Sequence, residues 1–406
     1  MNACVVASIL CLLSVTSPFA KASTSTRPSV WGMAVSGQTI IPRDVSDVKA
    51  LAGGLAVSVA LRTDGTVAVW GEPSFGQTAV PLDLKGVTAI SAGAFHVLAL
   101  KLDRTVVAWG SDVNTQVPVD LQGVVGIAAG SYHSVALLKD GTVVAWGRNN
   151  LRQINVPSGL FAVIAVAAGE AHSLALRKDG TVVAWGDTSN GQTSVPVGLK
   201  DVIAISAGGA NSAAVRADGT AFVWGDNTYG QTVIPSGLSH VTSLACGRTH
   251  ILALTRVRGD DRVVAWGNND QGQTDVPASL RAVKFIAAGS EYSLAIYDPQ
   301  PAFRKATGTA QLVNGFVVGV EFSDNGVGYT SPPLVQFVGG GGTGASGTAA
   351  LLNGAVVEIR MSSAGVGYTN GPAVIISPPD IPPELTIRVA MVAVDLRLKI
   401  GGRYEL

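Results

Sequence analysis

Four histidines, His96, His133, His172 and His250, share one position of a recurring A-G-x-x-H segment, and repeated imidazoles are a pattern that could hold a metal ion. Equivalent positions on separate repeats point along separate radii and converge only at a narrow channel end, so a hydrogen-bonding role at a strand start is the expectation and metal binding by the ring of histidines the minor alternative. His240 is a lone loop histidine with no evident partner. Asp187-Thr-Ser-Asn-Gly191, Asp226-Asn-Thr-Tyr-Gly230 and Asn268-Asn-Asp-Gln-Gly272 begin like calcium loops, yet none has the alternating carboxylates or the closing bidentate Glu, so they read as turns. Gly339-Gly-Gly-Gly-Thr-Gly-Ala-Ser346 lacks the Lys that would reach a phosphate and reads as a flexible connector. Cys246 lies between Ala245 and Gly247 at an apolar strand start, the setting of a buried inert thiol rather than a nucleophile. With no Ser/His/Asp order, paired carboxylates or zinc spacing, no catalytic, cofactor-binding or metal-ligating residue is expected.

Seven glutamines offer a different chemistry, since one amide can accept from and donate to backbone that a turn leaves unpaired. Gln38, Gln77, Gln116, Gln153, Gln192, Gln231 and Gln273 each lie seven residues beyond a tryptophan that precedes Gly, namely Trp31, Trp70, Trp109, Trp146, Trp185, Trp224 and Trp266. The glutamines are expected to brace loops and the tryptophans to pack between neighbouring repeats. The tryptophan separations are 39, 39, 37, 39, 39 and 42. A Pro follows the Gln by four residues in six copies and by two at Gln116, so the short interval is assigned to a deletion between Gln116 and Pro118. The long interval comes from Arg256-Val-Arg-Gly-Asp-Asp261, which replaces a plain Asp-Gly turn.

Such residues need elements to hold them. The stretch KDGTVVAWG occurs twice, at 139–147 and 178–186. Apolar Val- and Ala-rich segments joined by Asp-Gly signal β-hairpins, because Gly accepts the positive φ of a tight turn. Each unit of about 39 residues supplies about four short strands and no helical period, which means a propeller or a related closed array. Six hairpins lie wholly inside the chain, from Val57/Trp70 to His250/Trp266, and two halves remain, Ser29-Val30-Trp31 and Tyr292 to Tyr297. Pairing Val30 and Trp31 with Ser293 to Ile296 would complete a seventh blade and remove two exposed sheet edges. The expected fold is all-β, a seven-bladed β-propeller over residues 29–298 closed by strands from both ends of the array, followed by a small β-rich two-repeat region.

The W-G, G-Q and A-G-x-x-H-S-x-A-L pieces, as in SAGAFHVLAL at 91–100, AAGSYHSVAL at 128–137 and AAGEAHSLAL at 167–176, resemble the units of the regulator of chromosome condensation family of seven-bladed propellers. The resemblance covers roughly Ser29 to Asp298. It speaks to fold far more than to function, because propellers of this family serve as exchange factors, scaffolds and enzyme inhibitors alike. The short WGDNxxGQTxVP version, behind an export signal, is also similar to the secreted propellers that inhibit β-lactamases, in which rim loops of one face clamp the target. Guanine-nucleotide exchange is not expected of an exported chain.

Function is expected where the copies disagree. The two positions after A-G and the loops after W-G present Phe75, Phe95, Tyr132, Arg148, Arg152, Glu170, Tyr229, Arg248 and Glu291. Aromatics and Arg on a rigid ring are what interface anchors look like, and solvated loop tips that simply drift are the competing reading. One propeller face can offer a standard interface of about 1,600 Å². Lys plus Arg (28) equals Asp plus Glu (28), with no run of like charge, so there is no electrostatic footprint for nucleic acid or an anionic membrane. A protein partner is expected for a monomeric chain, without cofactor. The alternatives are inhibition of an extracellular enzyme and binding of a cell-surface glycan, with a hydrolase as the enzyme-class alternative. A glycan site favours several Trp or Tyr on one open face, whereas every Trp here is spent in the W-G repeat.

The flanks read differently. An uncharged apolar start, MNACVVASILCLLSV, and the A-x-A pattern Ala20-Lys21-Ala22 give a secretory signal over residues 1–22, with an uncleaved anchor as the alternative, and an exported bacterial type is expected. No later stretch has the roughly 18 uninterrupted apolar residues of a membrane span. Cys4 and Cys11 leave with the signal, so Cys246 has no intramolecular disulfide partner. After a linker at 299–307, residues 308–340 match 347–379, with Asn314 aligned to Asn353 and Tyr329 to Tyr368, and each half has an N-G hairpin signal. These halves resemble the G-x-G-Y-T-x-x-P repeats appended to many bacterial extracellular and phage-tail proteins. Residues 384–406 alternate as a strand would and stop abruptly at GGRYEL, which fits either a truncated chain or a strand used for surface attachment or assembly.

Overall fold

Runs such as TVVAWG are too short for a stable helix, rich in Val and bounded by Gly, and this composition favours strands. The computed structural model describes residues 26–111, 115–257, 260–278, 280–298, 305–329, 331–352, 354–379, 384–390 and 393–399, and among them there are strands and no α-helix. The signal assignment at 1–22, most of the 299–307 linker and the final 400–406 lie outside the described residues. The chain divides into two compact units, Met1–Pro299 and Gln300–Leu406.

In the first unit, seven three-stranded antiparallel sheets are described. Sheet 1 consists of Val48–Gly53, Val57–Arg62 and Val67–Gly71. Sheets 2 to 6 repeat this order, beginning at Val87, Val124, Val163, Val202 and Val241. Sheet 7 joins Val283–Ala288 and Tyr292–Tyr297 to the N-terminal strand Arg27–Gly32, with Val30 opposite Leu294 and Trp31 opposite Ser293. Three strands per repeat, rather than about four, is a correction. The stretch expected to give the fourth is a chain of turns, in which Gly76 N donates to Pro73 O, Ala79 N to Gly76 O and Leu84 N to Pro81 O. Its proline lacks an N–H and Gly76 has φ +73°, so neither residue suits a ladder. The long hairpin of sheet 6 runs to Val257 and resumes at Asp260, and Arg256 grips Asp261 through two bonds of 2.6 and 3.1 Å.

Each tryptophan fills the gap to the preceding sheet. Trp224 packs with Leu174 and Leu176 of sheet 4, Trp266 with Val215 of sheet 5 and Trp31 with Leu252 and Leu254 of sheet 6. Trp70 of sheet 1 packs with Tyr292, Leu294 and Ile296 of sheet 7. The first strands of the sheets carry small residues where they approach one another, and Cys246 stands where the other copies have Gly53 or Ala. Its thiol is buried, and burial pushes its pKa up to about 12.

The second unit is built on exchange between its two halves. The strand Ala373–Ile376 of the second half lies between Thr307–Val313 and Val335–Val338 of the first. Tyr329 N donates to Gly354 O and Tyr368 N to Gly315 O, so each half holds the other's hairpin turn. At the first of these turns Asn314 and Gly315 both have positive φ, 52° and 79°, as an N-G hairpin requires. The strands Glu384–Ala390 and Ala393–Lys399 form a separate hairpin.

Candidate functional site

The recurring residues build a lattice between sheets. Six tryptophan indoles, all but that of Trp146, donate to the backbone carbonyl of the preceding copy's glutamine at 2.8 to 3.1 Å. The same carbonyls at Gln38, Gln153, Gln192 and Gln273 also accept from Ser58, Ser173, Ser212 and Ser293. Each histidine ring meets a serine of the next sheet, at 2.9 to 3.0 Å: His96 with Ser134, His133 with Ser173, His172 with Ser212 and His250 with Ser293. Because Ser173, Ser212 and Ser293 spend their protons on glutamine carbonyls, the imidazole Nε2 is the donor there, and Nδ1 carries a bare lone pair. That nitrogen has no partner among the described residues, and burial lowers the pKa to about 4 at His96, His172 and His250 and to about 3 at His133. The ring lies against the A-G glycine of its own turn. A Cβ on Gly93 would collide with the His96 ring and with the Gly130 carbonyl of the next sheet.

The serine partners escaped sequence reading, although the repeats contain the signal. Where the histidine is replaced, by Val57 or Asn211, the serine of the next copy is replaced too, by Val97 or Ile251. Tyr292, the seventh occupant of the position, reaches across to sheet 1 and donates to Val57 O.

The glutamines brace the loop that follows W-G. In six copies the side-chain Oε1 accepts from the backbone N–H two residues earlier, at 2.8 to 2.9 Å, and so fixes Ser36, Phe75, Leu151, Asn190, Tyr229 and Gln271 as loop tips. Gln116 is the exception and a correction. It is exposed, and the bond from Val117 N to Thr115 O corresponds to Val80 N to Thr78 O, which puts Gln116 at the position of Ala79. The two missing residues therefore fall between Gly110 and Asn114, and Asn114, outside the described residues, takes the glutamine's place in the sequence. Trp146, the tryptophan of the next copy, is left with a buried indole N–H that has no partner among the described residues.

Above this lattice stand the variable residues. The first position after A-G rings one mouth of a cavity of about 310 Å³, lined there by Leu55, Ala94, Ser131, Glu170, Arg248 and Ser290. Its rim is a chain of backbone bonds from sheet to sheet: Ala94 N to Ser131 O, Ser131 N to Gly169 O, Glu170 N to Gly209 O, Arg248 N to Ser290 O and Ser290 N to Gly54 O. The second position and the neighbouring loops carry an aromatic arc. Phe75 meets Phe95 edge to face at 4.5 Å, Phe95 meets Tyr132 at 5.5 Å, and the Arg148 guanidinium lies 5.0 Å over the Tyr132 ring. The connection that follows Trp109 is two residues shorter in sequence than its counterparts. Its backbone leaves from Phe95, through Ser111 N to Phe95 O, just as Arg148 N leaves from Tyr132 O.

Of the nine residues proposed from sequence, the structure brings Phe75, Phe95, Tyr132 and Arg148 into contact. Arg152 is exposed on the same loop as Arg148, in a left-handed conformation with φ 64° at a position where five copies have Gly. Glu170 and Arg248 stand at the cavity mouth, and Tyr229 is the half-exposed tip of the loop after sheet 5. Glu291 accepts from Gln273 Nε2 at 3.1 Å, and its pKa is raised, by burial first and by Asp270, against the pull of Arg248. Among the described residues no three His, Cys, Asp or Glu side chains are grouped as metal ligands would be.

Comparison with known proteins follows the same lines. The model of the regulator of chromosome condensation (RCC1) repeat matches residues 87–116, 124–153, 163–192, 202–231 and 241–273. No curated protein matches the chain. Among solved structures it is similar to Prp20p of Saccharomyces cerevisiae, described with its binding to Gsp1p and histones, at 18% identity and a TM-score of 0.58 over 69% of this chain and 93% of that one. Yeast RCC1 (Prp20) in its structure with Kap60 matches at 19% identity and a TM-score of 0.57, over 67% and 88% of the two chains. Human WBSCR16 matches at 19% and 0.55, over 67% and 99%. Five stretches of the first unit thus match the RCC1 repeat, and the unit has the fold of the RCC1-like β-propellers.

Proposed function

We propose that the chain is an exported, closed seven-bladed propeller that binds a protein partner through the A-G-x-x-H face and performs no chemistry of its own. The aromatic arc carries this reading. Three rings and a guanidinium, held by a rigid lattice beneath them, form a preorganised anchor of the kind that dominates interface energetics. Closure is supported by the N-terminal strand completing sheet 7, by Trp70 packing on sheet 7 and by the bond from Ser290 N to Gly54 O. Export is supported by the signal-like residues 1–22. A role without catalysis is supported by the histidines, which are neutral, buried and committed to serine. Prp20p, similar in fold, is described as binding Gsp1p and histones. Affinity capture from the protein's own secretome, with the Phe95→Ser/Tyr132→Ser variant as control, tests the proposal. A stoichiometric protein captured by the native chain and lost with the variant is expected, and an enzyme among such proteins would make the interaction inhibitory. Retention on wall polysaccharide with no protein captured would overturn it.

A further inference from the structure

The arc has a direction, because its two ends differ in chemistry. Phe75 is half exposed and apolar, and Glu72 at the base of its loop is already occupied by Ser74. At the other end Arg148 and Arg152 are both exposed, and neither has a carboxylate partner among the described residues. Leu151 between them is exposed as well. The chain as a whole is neutral, so this pair is a local charge and not part of a general basic field.

Two details say what the arginines are arranged to do. The Arg148 guanidinium lies 5.0 Å over the Tyr132 ring, and its N–H groups have no hydrogen-bond partner among the described residues, so they are available to receive a carboxylate, which a guanidinium can hold in a two-pronged bond. Arg152 holds a left-handed backbone where Gly37, Gly76, Gly191, Gly230 and Gly272 serve the other copies. Arg104 takes the same conformation in an Asp-Gly-type turn, so strain alone selects nothing. Arg152 is singled out by its place four residues after Arg148, on the loop that flanks Tyr132. The steps from Phe75 to Arg148 add up to about 15 Å along the arc, so it spans no more than the reach of four to five residues of extended chain.

Resting on the protein-binding reading above, we propose that the arc takes an extended segment of the partner in which an apolar or aromatic side chain is followed within a few residues by Asp or Glu. The ring of that side chain seats on Phe95 and Tyr132, and the carboxylate is received by Arg148 and Arg152. A guanidinium pair facing free solvent would repel a basic segment, so the same residues that attract also exclude.

Random linear peptides displayed on phage, selected on the native chain, test the proposal directly. The expected consensus is an aromatic or large aliphatic residue with an acidic residue one to four positions away. Dye-labelled peptides of that consensus should bind the Arg148→Gln/Arg152→Gln variant at least about tenfold more weakly, the loss of one charge-assisted bond, with higher salt weakening the native complex. Both positions are exposed, so this variant folds where a ring deletion has less assurance. Arg152→Gly provides a second readout: it should raise the melting temperature while lowering affinity, which a merely structural arginine would not do. A basic or charge-free consensus, no enrichment, or affinity unmoved by the arginine variants overturns the proposal. Displacement of the peptides by soluble wall oligosaccharide overturns it too, since the arc would then be a glycan platform. A protein partner captured equally well by the arginine variants would leave protein binding standing and sink only this assignment.

Discussion

The histidine and the serine of the next sheet form the smallest unit on which the structure depends. The ordinary histidine value is 6.5, and burial holds three of these rings at about 4 and one at about 3. Between pH 6.5 and 4 the unfolded chain therefore binds protons that the folded chain refuses, so stability is complete above this window and is lost as pH falls through it. Each ring contributes up to about 1.4 kcal/mol per pH unit. The urea midpoint should accordingly drop between pH 7 and pH 5, and a midpoint that is flat or rises would mean that the rings are not buried as neutral donors. Removing one partner is costlier than removing both. Ser212→Ala leaves the His172 N–H buried and unpaired and should cost about 1 to 3 kcal/mol. The pair His172→Val with Ser212→Val copies what Val57 and Val97 already do and should cost less than the two single changes added together, as a double-mutant cycle would read out. The sequence made the hydrogen-bonding role of these histidines legible from their place at a strand start. Their acceptor was not, because it lies in the next sheet and emerges only when one copy's histidine is compared with the following copy's serine.

Elements differ in how openly the sequence declares them. The Asp-Gly and Asn-Gly turns, the strands before and after them and the 39-residue period follow from local chemistry, and Thr66 N bonded to Asp64 Oδ1 at 2.9 Å is the turn that such a sequence specifies. Which strand pairs with which is a different matter. Both halves of the second unit are visible as repeats, yet nothing local says that Ala373–Ile376 inserts into the sheet of the first half. Since each half holds the other's turn, residues 305–379 should unfold cooperatively as one piece, whereas residues 343–379 alone should show no cooperative transition in a thermal scan. The shortened connection was misplaced from sequence because counting from Trp109 assumes an intact loop, and the carbonyl that Thr115 offers to Val117 corrects the alignment. Restoring two residues between Gly110 and Asn114, with Asn114→Gln, should return the missing acceptor to Trp146. A gain of about 1 kcal/mol in chemical denaturation is expected.

At the scale of the molecule, the N-terminal strand Arg27–Gly32 completes the last sheet, and the last sheet packs on the first. The pairing of this strand with Tyr292–Tyr297 was legible because two half-repeats were left over, one at each end of the array. Trp31 is buried there with its indole on Gln273 O. Deleting Ser29 to Gly32 should lower the melting temperature sharply, by more than the loss of about 3 to 5 kcal/mol expected for a buried tryptophan alone. An unchanged value would rule out the seam. The lattice of Gln, Ser, His and Trp explains why the copies agree, and it leaves function to the places where they do not, of which the arc from Phe75 to Arg148 is the one the fold assembles from three successive repeats. The most direct test replaces Phe75 by a photo-crosslinking phenylalanine and, in a parallel chain, does the same at Leu82, an exposed residue outside the arc. Irradiation in the native secretome should join one protein to position 75 and none to position 82; equal labelling at both, or labelling at 82 alone, would contradict an account in which this arc is the partner's anchor.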